Sequence, residues 1–297
     1  MKPARVVSLA DELRSTLLAA RNPDGGWPYY KGKASRLEPT CLAILALGSA
    51  RTDAARGVAV DTSLLDAWPR RNGLFLDGPG EINYAFNGLA GVVLSVTPRR
   101  PIAVDLESAL VRARAVQLPP STVNRQDNAV QAWPWFDGTF SWVESTAWCL
   151  LALKRLSGVP RAASIGRRLE EGQRFLADRV CSEGGWNYGN SNVFGSELTP
   201  QVPTTALALL SLQDVKPTPY IARSLSYLET HQQEETGGMA LSFACIGLAI
   251  YDKPYPGARA ALEQDWRRGR FLDNLHVTAL ALYALGAGEH RCEALRV

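Results

Sequence analysis

The feature that most constrains the fold is an apolar segment that recurs six times along the chain. Each copy is rich in Leu and Ala, which are strong helix formers, and is apolar on almost every side. The copies occupy residues 38–47, 82–91, 144–153, 203–212, 241–250 and 276–285. Because a helix without a polar face has to be buried, this repeat predicts six helices in the interior of the protein.

A more polar segment precedes each apolar copy, and its apolar residues recur at helical spacing. These segments are residues 8–21, 61–68, 105–117, 161–180, 220–232 and 256–268. Ser8 and Asp11 predict a capping box at the start of the first segment. The alternation predicts an all-α fold, an α/α toroid of about twelve helices in two concentric rings, within a single domain spanning residues 1–297. An open α-solenoid is the alternative, but the last apolar copy lacks the polar face of a terminal repeat, which favours closure.

The composition of the chain argues against several classes of function. A net charge of +3 is too small to indicate a nucleic-acid partner, and no apolar run reaches the length of a transmembrane helix. Residues 1–20 do not resemble a signal peptide, so a cytoplasmic location is expected. The five cysteines form no CxxC pair, and the histidines are His231, His276 and His290. We therefore expect neither a bound metal nor another cofactor.

Gly-Gly-Trp motifs stand before some of the apolar copies. Asp-Gly-Gly-Trp occupies residues 24–27, Glu-Gly-Gly-Trp-Asn-Tyr-Gly occupies 183–189, and a variant occupies 131–138. In these motifs the chain resembles the prenyltransferase and squalene-cyclase repeat family. The resemblance implies an α/α toroid whose hydrophobic cavity binds or transforms an isoprenoid, as a terpenoid cyclase or prenyltransferase does. The alternative is a non-catalytic toroid that holds a lipid or a protein partner.

Candidate catalytic residues follow from the repeat register. Glu38, Glu144 and His276 occupy the same position of their repeats, two residues before a shared Thr, as Pro203 does. All should stand at N-terminal ends of inner helices. The family's Asp-x-Asp-Asp-Thr motif places its proton-donating Asp at the position of Glu144, although Trp142 and Ser145 replace the other two aspartates. The alternative is that the glutamates complement helix dipoles. In a closed ring Glu38 and His276 should meet, either as a site or as a latch.

Two further groups are candidates for substrate binding. Aromatic side chains should line the cavity, or else pack in the core. They are Trp133, Trp135, Trp142, Trp148, Trp186 and Tyr188. Basic residues should converge on a diphosphate group, or else belong to the solvated surface: Lys33, Arg36 and Arg268. The family's zinc site would require an Asp-x-Cys that this chain lacks.

Overall fold

A computed structural model describes residues 7–48, 62–98, 100–158, 162–290 and 292–297, and α-helices dominate these residues. Asp61 and Arg161, the first residues of two predicted outer segments, lie outside the described residues. The α-helices are α1 Leu9–Ala19, α2 Leu37–Gly48, α3 Tyr84–Ser95, α4 Pro101–Arg112, α5 Val143–Leu156, α6 Ala163–Asp178, α7 Val202–Ser211, α8 Pro219–His231, α9 Gly238–Ile250, α10 Pro256–Gly269, α11 Leu275–Leu285 and α12 Ala287–His290. Short 3₁₀ helices cover Thr62–Ala67, Arg270–Asp273 and Glu293–Leu295. Two small hairpins pair β1 Arg70–Arg71 with β2 Leu74–Phe75, and β3 Asn192–Val193 with β4 Ser196–Glu197.

The six apolar copies form an inner ring of α2, α3, α5, α7, α9 and α11. Each helix packs against the next, and α11 packs against α2, which closes the ring. Close approach is built into the sequence at Gly88, where a β-carbon would lie 2.6 Å from the carbonyl carbon of Trp148. The predicted α/α toroid is therefore confirmed, and we call the junction of α11 with α2 the seam.

Outer helices cover the inner ring, with one dry face and one wet face each. Ser8 caps α1, because its hydroxyl accepts a hydrogen bond from the backbone N–H of Asp11, and the same hydroxyl donates to Oδ2 of Asp11 at 2.8 Å. The outer segment predicted before the second apolar copy is a six-residue 3₁₀ helix rather than an α-helix, and Pro69 follows it closely. Proline lacks a backbone N–H and disfavours helical geometry in the residue before it, so it stops this segment from lengthening.

The third outer helix also differs from its prediction. It begins at Pro101, a residue suited to the first turn, and ends at Arg112 instead of extending over 105–117. The following residues pair with the next loop, since the backbone N–H of Ala115 donates to Ala132 and that of Val116 donates to Thr139. Those partners are remote in sequence, so local periodicity could not reveal them.

Each motif tryptophan ties an outer helix to an inner one. The indole N–H donates to a backbone carbonyl two residues before the end of the preceding outer helix: Trp27 to Leu17 at 2.8 Å, Trp133 to Leu110 at 2.9 Å, and Trp186 to Leu176 at 2.7 Å. The backbone N–H of the same tryptophans donates to the shared threonine of the next inner helix: Thr40 at 2.8 Å, Thr146 at 3.4 Å and Thr205 at 3.0 Å. The motif is therefore a packing device of the ring.

The C-terminal residues cover one end of the inner ring. Arg155 of α5 donates to the carbonyl oxygens of Glu293, at 3.1 Å, and Arg296. Gln213, just after α7, donates to the carbonyl oxygen of Leu295 at 2.8 Å, and Leu295 is buried. The accessible end of the ring is consequently the opposite one, where the inner helices begin. No helix among the described residues combines the length and apolarity that a membrane crossing demands.

Replacing Thr40 with Val should destabilise the protein by about 1–3 kcal/mol, because the shape is kept while the buried N–H of Trp27 loses its acceptor. Urea denaturation monitored by circular dichroism measures the change. The same substitution at exposed Thr122 is the control and should alter stability little. Equal stability of the two variants would contradict the packing role of the shared threonine.

Candidate functional site

The accessible side chains of the inner ring lie where its helices begin, and we call this region the ring mouth. Glu38, Glu144, Pro203 and His276 are each the second residue of their helix, as the repeat register predicted. Met239, the second residue of α9, is exposed there as well. The middle turns of the inner helices are almost entirely buried. Among the described residues, the side chains of the inner helices that a ligand could reach therefore include those at the mouth.

Three aromatic residues connect neighbouring inner helices at the mouth through backbone hydrogen bonds. Tyr29, Trp135 and Tyr188 each stand two positions after a motif tryptophan. Their carbonyl oxygens accept the first N–H of a neighbouring inner helix: Leu275 at 2.8 Å, Tyr84 at 2.9 Å and Val143 at 2.8 Å, respectively. Helix N-termini leave such N–H groups without intrahelical partners, so these contacts fix the inner helices relative to one another.

Glu144 is partly exposed, and its Oε2 accepts a hydrogen bond from the indole N–H of Trp135 at 3.1 Å. Burial of the carboxyl group raises the pKa of Glu144 to about 7, with a further contribution from the negative charge of Glu38. The Trp135 hydrogen bond lowers the pKa and offsets part of that rise. Near neutral pH this carboxyl group can both donate and accept a proton, which is the property that general acid–base catalysis requires.

Glu38 lies at the seam between two partners. Its Oε2 accepts a hydrogen bond from the Tyr29 hydroxyl at 2.5 Å, and its Oε1 lies 3.6 Å from Nε2 of His276. The Tyr29 and His276 rings meet edge to face with centroids 6.0 Å apart. Burial, followed by the charge of Glu38, raises the pKa of Tyr29. The predicted approach of Glu38 and His276 is thus present, with Tyr29 as a third member.

Sequence reasoning missed Tyr29, although the chain contains a signal for it. An aromatic residue stands two positions after the motif tryptophan and nine positions before the glutamate in both Tyr29–Glu38 and Trp135–Glu144. In each pair the aromatic side chain donates a hydrogen bond to the carboxylate. The same spacing in two repeats therefore marks the two aromatic–carboxylate pairs.

Of the aromatic residues predicted to bind substrate, Trp133, Trp148 and Trp186 are buried. Trp133 is further covered by the Arg168 guanidinium, 3.7 Å from its ring centroid. These three side chains pack between helices, so their rings are not accessible to a ligand. Tyr188 is exposed at the ring mouth.

Trp135 and Trp142 are partly exposed, and their rings are stacked with centroids 4.6 Å apart. Phe140 also stacks on Trp142, at 4.7 Å. The ring of Trp142 is therefore stacked against both Trp135 and Phe140. Trp135 is the member of this stack that donates a hydrogen bond to Glu144.

The predicted basic group consists of Arg36, Arg268 and Lys33. Arg36 forms two hydrogen bonds with Asp77, at 2.9 and 2.5 Å, and that carboxylate also accepts the backbone N–H of Leu37 at 2.9 Å. Arg268 pairs with Asp265 at 2.9 Å, and Lys33 is exposed. Two of these three cations are thus held by carboxylates of their own surroundings. Within the described ranges, no three His, Cys, Asp or Glu residues are grouped so as to hold a metal ion.

Comparison with known proteins gives one curated relative and a set of solved structures, and no family model matches the chain. The relative is a drimenyl diphosphate synthase of Streptomyces showdoensis, 28% identical over 220 residues. That match covers 73% of this chain and 39% of the relative, so the chain spans about two-fifths of the relative's length. An identity of this size over part of the relative does not place the chain in its family.

The solved structures share the ring over nearly the whole chain. An α-mannanase of family GH76 from Bacteroides thetaiotaomicron is 12% identical with a TM-score of 0.65, and the match covers 95% of both chains. An inactive variant of an α-1,6-mannanase from Salegentibacter, in complex with α-1,6-mannotriose, is 11% identical with a TM-score of 0.62, covering 94% of this chain and 98% of that one. A sugar epimerase of a ruminal bacterium is 11% identical with a TM-score of 0.54, covering 95% and 99%. At these identities the likeness shows the fold alone.

These comparisons correct the family and the function expected from the Gly-Gly-Trp motifs. The structural neighbours are mannanases and a sugar epimerase, so the assignment to prenyltransferases and squalene cyclases, with its isoprenoid substrate, is wrong. The alternative of a non-catalytic lipid- or protein-binding toroid gains no better support. The physical reason is that the motif tryptophans bond to helix carbonyls and threonines, so they report the ring rather than a reaction.

The raised pKa of Glu144 predicts a specific pH dependence of stability. The folded state holds the proton up to about pH 7, whereas the unfolded chain releases it near its ordinary value, so the free energy of unfolding falls as pH rises between these values. The loss is at most about 3 kcal/mol, because a tenfold change in proton affinity corresponds to about 1.4 kcal/mol. Glu144→Gln, which stays neutral, should escape this loss and be more stable than the unaltered protein at pH 8, with a smaller difference at pH 5.

Urea denaturation at both pH values measures this effect. Glu170→Gln, at an exposed position on α6, is the matched control and should follow the unaltered protein. If Glu144→Gln shows the same pH dependence as that control, the carboxyl group is not held neutral by its surroundings.

Proposed function

We propose that the protein is a carbohydrate-active enzyme that performs acid–base catalysis at the ring mouth, with Glu144 as the proton donor. The observation that carries the proposal is the carboxyl group of Glu144 at the start of α5, which accepts a hydrogen bond from Trp135 at 3.1 Å. In support, burial and the charge of Glu38 raise the pKa of Glu144 to about 7. A carboxylic acid that keeps its proton near neutral pH is what protonation of a leaving oxygen demands. The substrate class is supported by the mannanases and the sugar epimerase that share the ring.

Glycoside hydrolysis needs two carboxyl groups with different tasks. One protonates the departing glycosidic oxygen, and the other either activates water or attacks the anomeric carbon. Glu144 supplies the first group. Glu38 supplies the second group. Its carboxylate accepts a hydrogen bond from the Tyr29 hydroxyl, and its charge raises the pKa of Glu144. The charge of Glu38 also favours the protonated form of Glu144, so the two roles reinforce each other.

The surroundings of the two carboxyl groups fit a neutral, hydroxylated ligand. Trp135 offers a partly exposed aromatic surface for the apolar face of a sugar ring, and the glutamates and His276 offer partners for hydroxyl groups. The arginines predicted to bind an anion are engaged by Asp77 and Asp265. A neutral saccharide therefore suits the mouth better than a diphosphate.

The test is incubation with a panel of neutral α- and β-linked oligosaccharides, followed by NMR of the anomeric protons. We expect new reducing ends, at a rate that declines above about pH 7 as Glu144 loses its proton. Glu144→Gln should lower kcat by about 10²- to 10⁴-fold, because the shape is kept and only the transferable proton is lost. The matched control Glu170→Gln should keep the full rate.

Epimerisation is the second candidate, favoured by His276 beside Glu38 and by the sugar epimerase among the structural neighbours. In that reaction one group removes a proton from carbon and another returns it to the opposite face. A change of sugar configuration without new reducing ends, abolished by His276→Asn, would identify it. The proposal fails if no saccharide in the panel is altered, or if Glu144→Gln retains the full rate.

A further inference from the structure

The donor that reaches Glu144 differs chemically from the donor that reaches Glu38. The Tyr29 hydroxyl can both donate and accept a hydrogen bond, whereas the indole N–H of Trp135 can only donate. Trp135 therefore interacts with a lone pair of Glu144 Oε2 in every protonation state. When Glu144 is neutral, one of its oxygens carries the proton and the other is the better hydrogen-bond acceptor. Because Trp135 donates to Oε2, it favours the form in which the proton is on Oε1.

We propose that Trp135 is a positioning residue, which assigns the acidic proton of Glu144 to Oε1 and sets the upper pH limit of the acid form. This inference rests on the proposed function for its catalytic consequence. The coupling between the indole N–H and the protonation state of Glu144 depends only on the hydrogen bond between them. An acid oriented in this way presents one defined oxygen for proton transfer, which is a requirement of efficient general acid catalysis.

The position of Trp135 is fixed from several sides. Its ring lies on Trp142 at 4.6 Å with an interplanar angle of 12°, and Phe140 stacks on Trp142 in turn. The backbone of Trp142 donates to the carbonyl oxygen of Trp133 at 3.0 Å, and the carbonyl oxygen of Trp135 accepts the N–H of Tyr84 at 2.9 Å. These hydrogen bonds hold the backbone on both sides of the stack, and the indole cannot turn away from Glu144 without losing its stacking on Trp142.

The electrostatic surroundings of Glu144 are simple enough to isolate the contribution of Trp135. Burial acts first, then the charge of Glu38 on α2, and then the Trp135 hydrogen bond in the opposite direction. Tyr29 and His276 are the side chains in contact with Glu38. On the neighbouring inner helices, α3 begins with Tyr84, whose hydroxyl donates to Asp137 at 2.6 Å, and α7 has Pro203 as its second residue. The charge that shifts the pKa of Glu144 is that of Glu38. Removing one N–H from Trp135 leaves the rest of this set in place.

The experiment compares Trp135→Phe with the unaltered protein by carbon NMR titration of the glutamate carboxyl groups, with Glu144→Gln identifying the signal. Loss of the hydrogen bond that favours the carboxylate should move the Glu144 midpoint upward by about 0.5–1 pH unit. The high-pH limb of the rate profile should move by the same amount, and kcat should fall more than KM changes. Trp68→Phe is the matched control, since it removes an indole hydrogen bond to Leu76 elsewhere and should leave the midpoint unchanged.

A second measurement needs no change at Trp135. In the unaltered protein, the indole N–H signal of Trp135 should shift with pH around a midpoint near that of Glu144, about pH 7, and this shift should vanish in Glu144→Gln. A flat indole signal, or a Glu144 midpoint that Trp135→Phe leaves in place or lowers, would overturn the inference even if saccharides are turned over. A shifted midpoint with no turnover of any saccharide would support the coupling and refute the proposed function.

Discussion

The whole structure depends on the burial of six helices that have no polar face. Such helices are stable in water only if neighbours cover every side, and a ring with an outer layer meets that demand. Packing of α11 on α2 gives the first and the last inner helix a neighbour on the side where an open stack would end. The ties between the layers are specific hydrogen bonds, in which motif tryptophans such as Trp27 bond to an outer helix and to an inner threonine.

Closure also decides where chemistry can occur. At one end the residues from Cys292 to Val297 cover the ring through Arg155 and Gln213. At the other end the inner helices begin, and their first N–H groups take carbonyl oxygens from aromatic residues that follow the motif tryptophans. The carboxyl groups there have hydrogen-bond partners, because Tyr29 donates to Glu38 and Trp135 donates to Glu144. Glu38, Glu144 and His276 each stand as the second residue of a separate inner helix at this end.

The same physics explains why the Gly-Gly-Trp motifs did not identify a family. A Gly-Gly-Trp motif followed by an apolar helix describes how one layer is tied to the next, and the ring is shared by mannanases and a sugar epimerase at 11–12% identity. The motif therefore predicts architecture. The reaction depends on which side chains stand at the mouth, and there Glu144 with Trp135, and Glu38 with Tyr29 and His276, form a pattern that suits proton transfer.

The sequence by itself determined the inner ring, because Leu- and Ala-rich segments that are apolar on nearly every side form helices that have to be buried. It also determined the register that makes Glu38, Glu144 and His276 the second residues of their helices. Only the tertiary structure decided what touches these residues. The Tyr29 and Trp135 donors, the burial of Trp133 and Trp186, and the pairing of Arg36 with Asp77 depend on how loops fold over the ring ends. Loop contacts join residues far apart in sequence, and the pKa of Glu144 depends on burial and on a charge from another helix, neither of which local periodicity encodes.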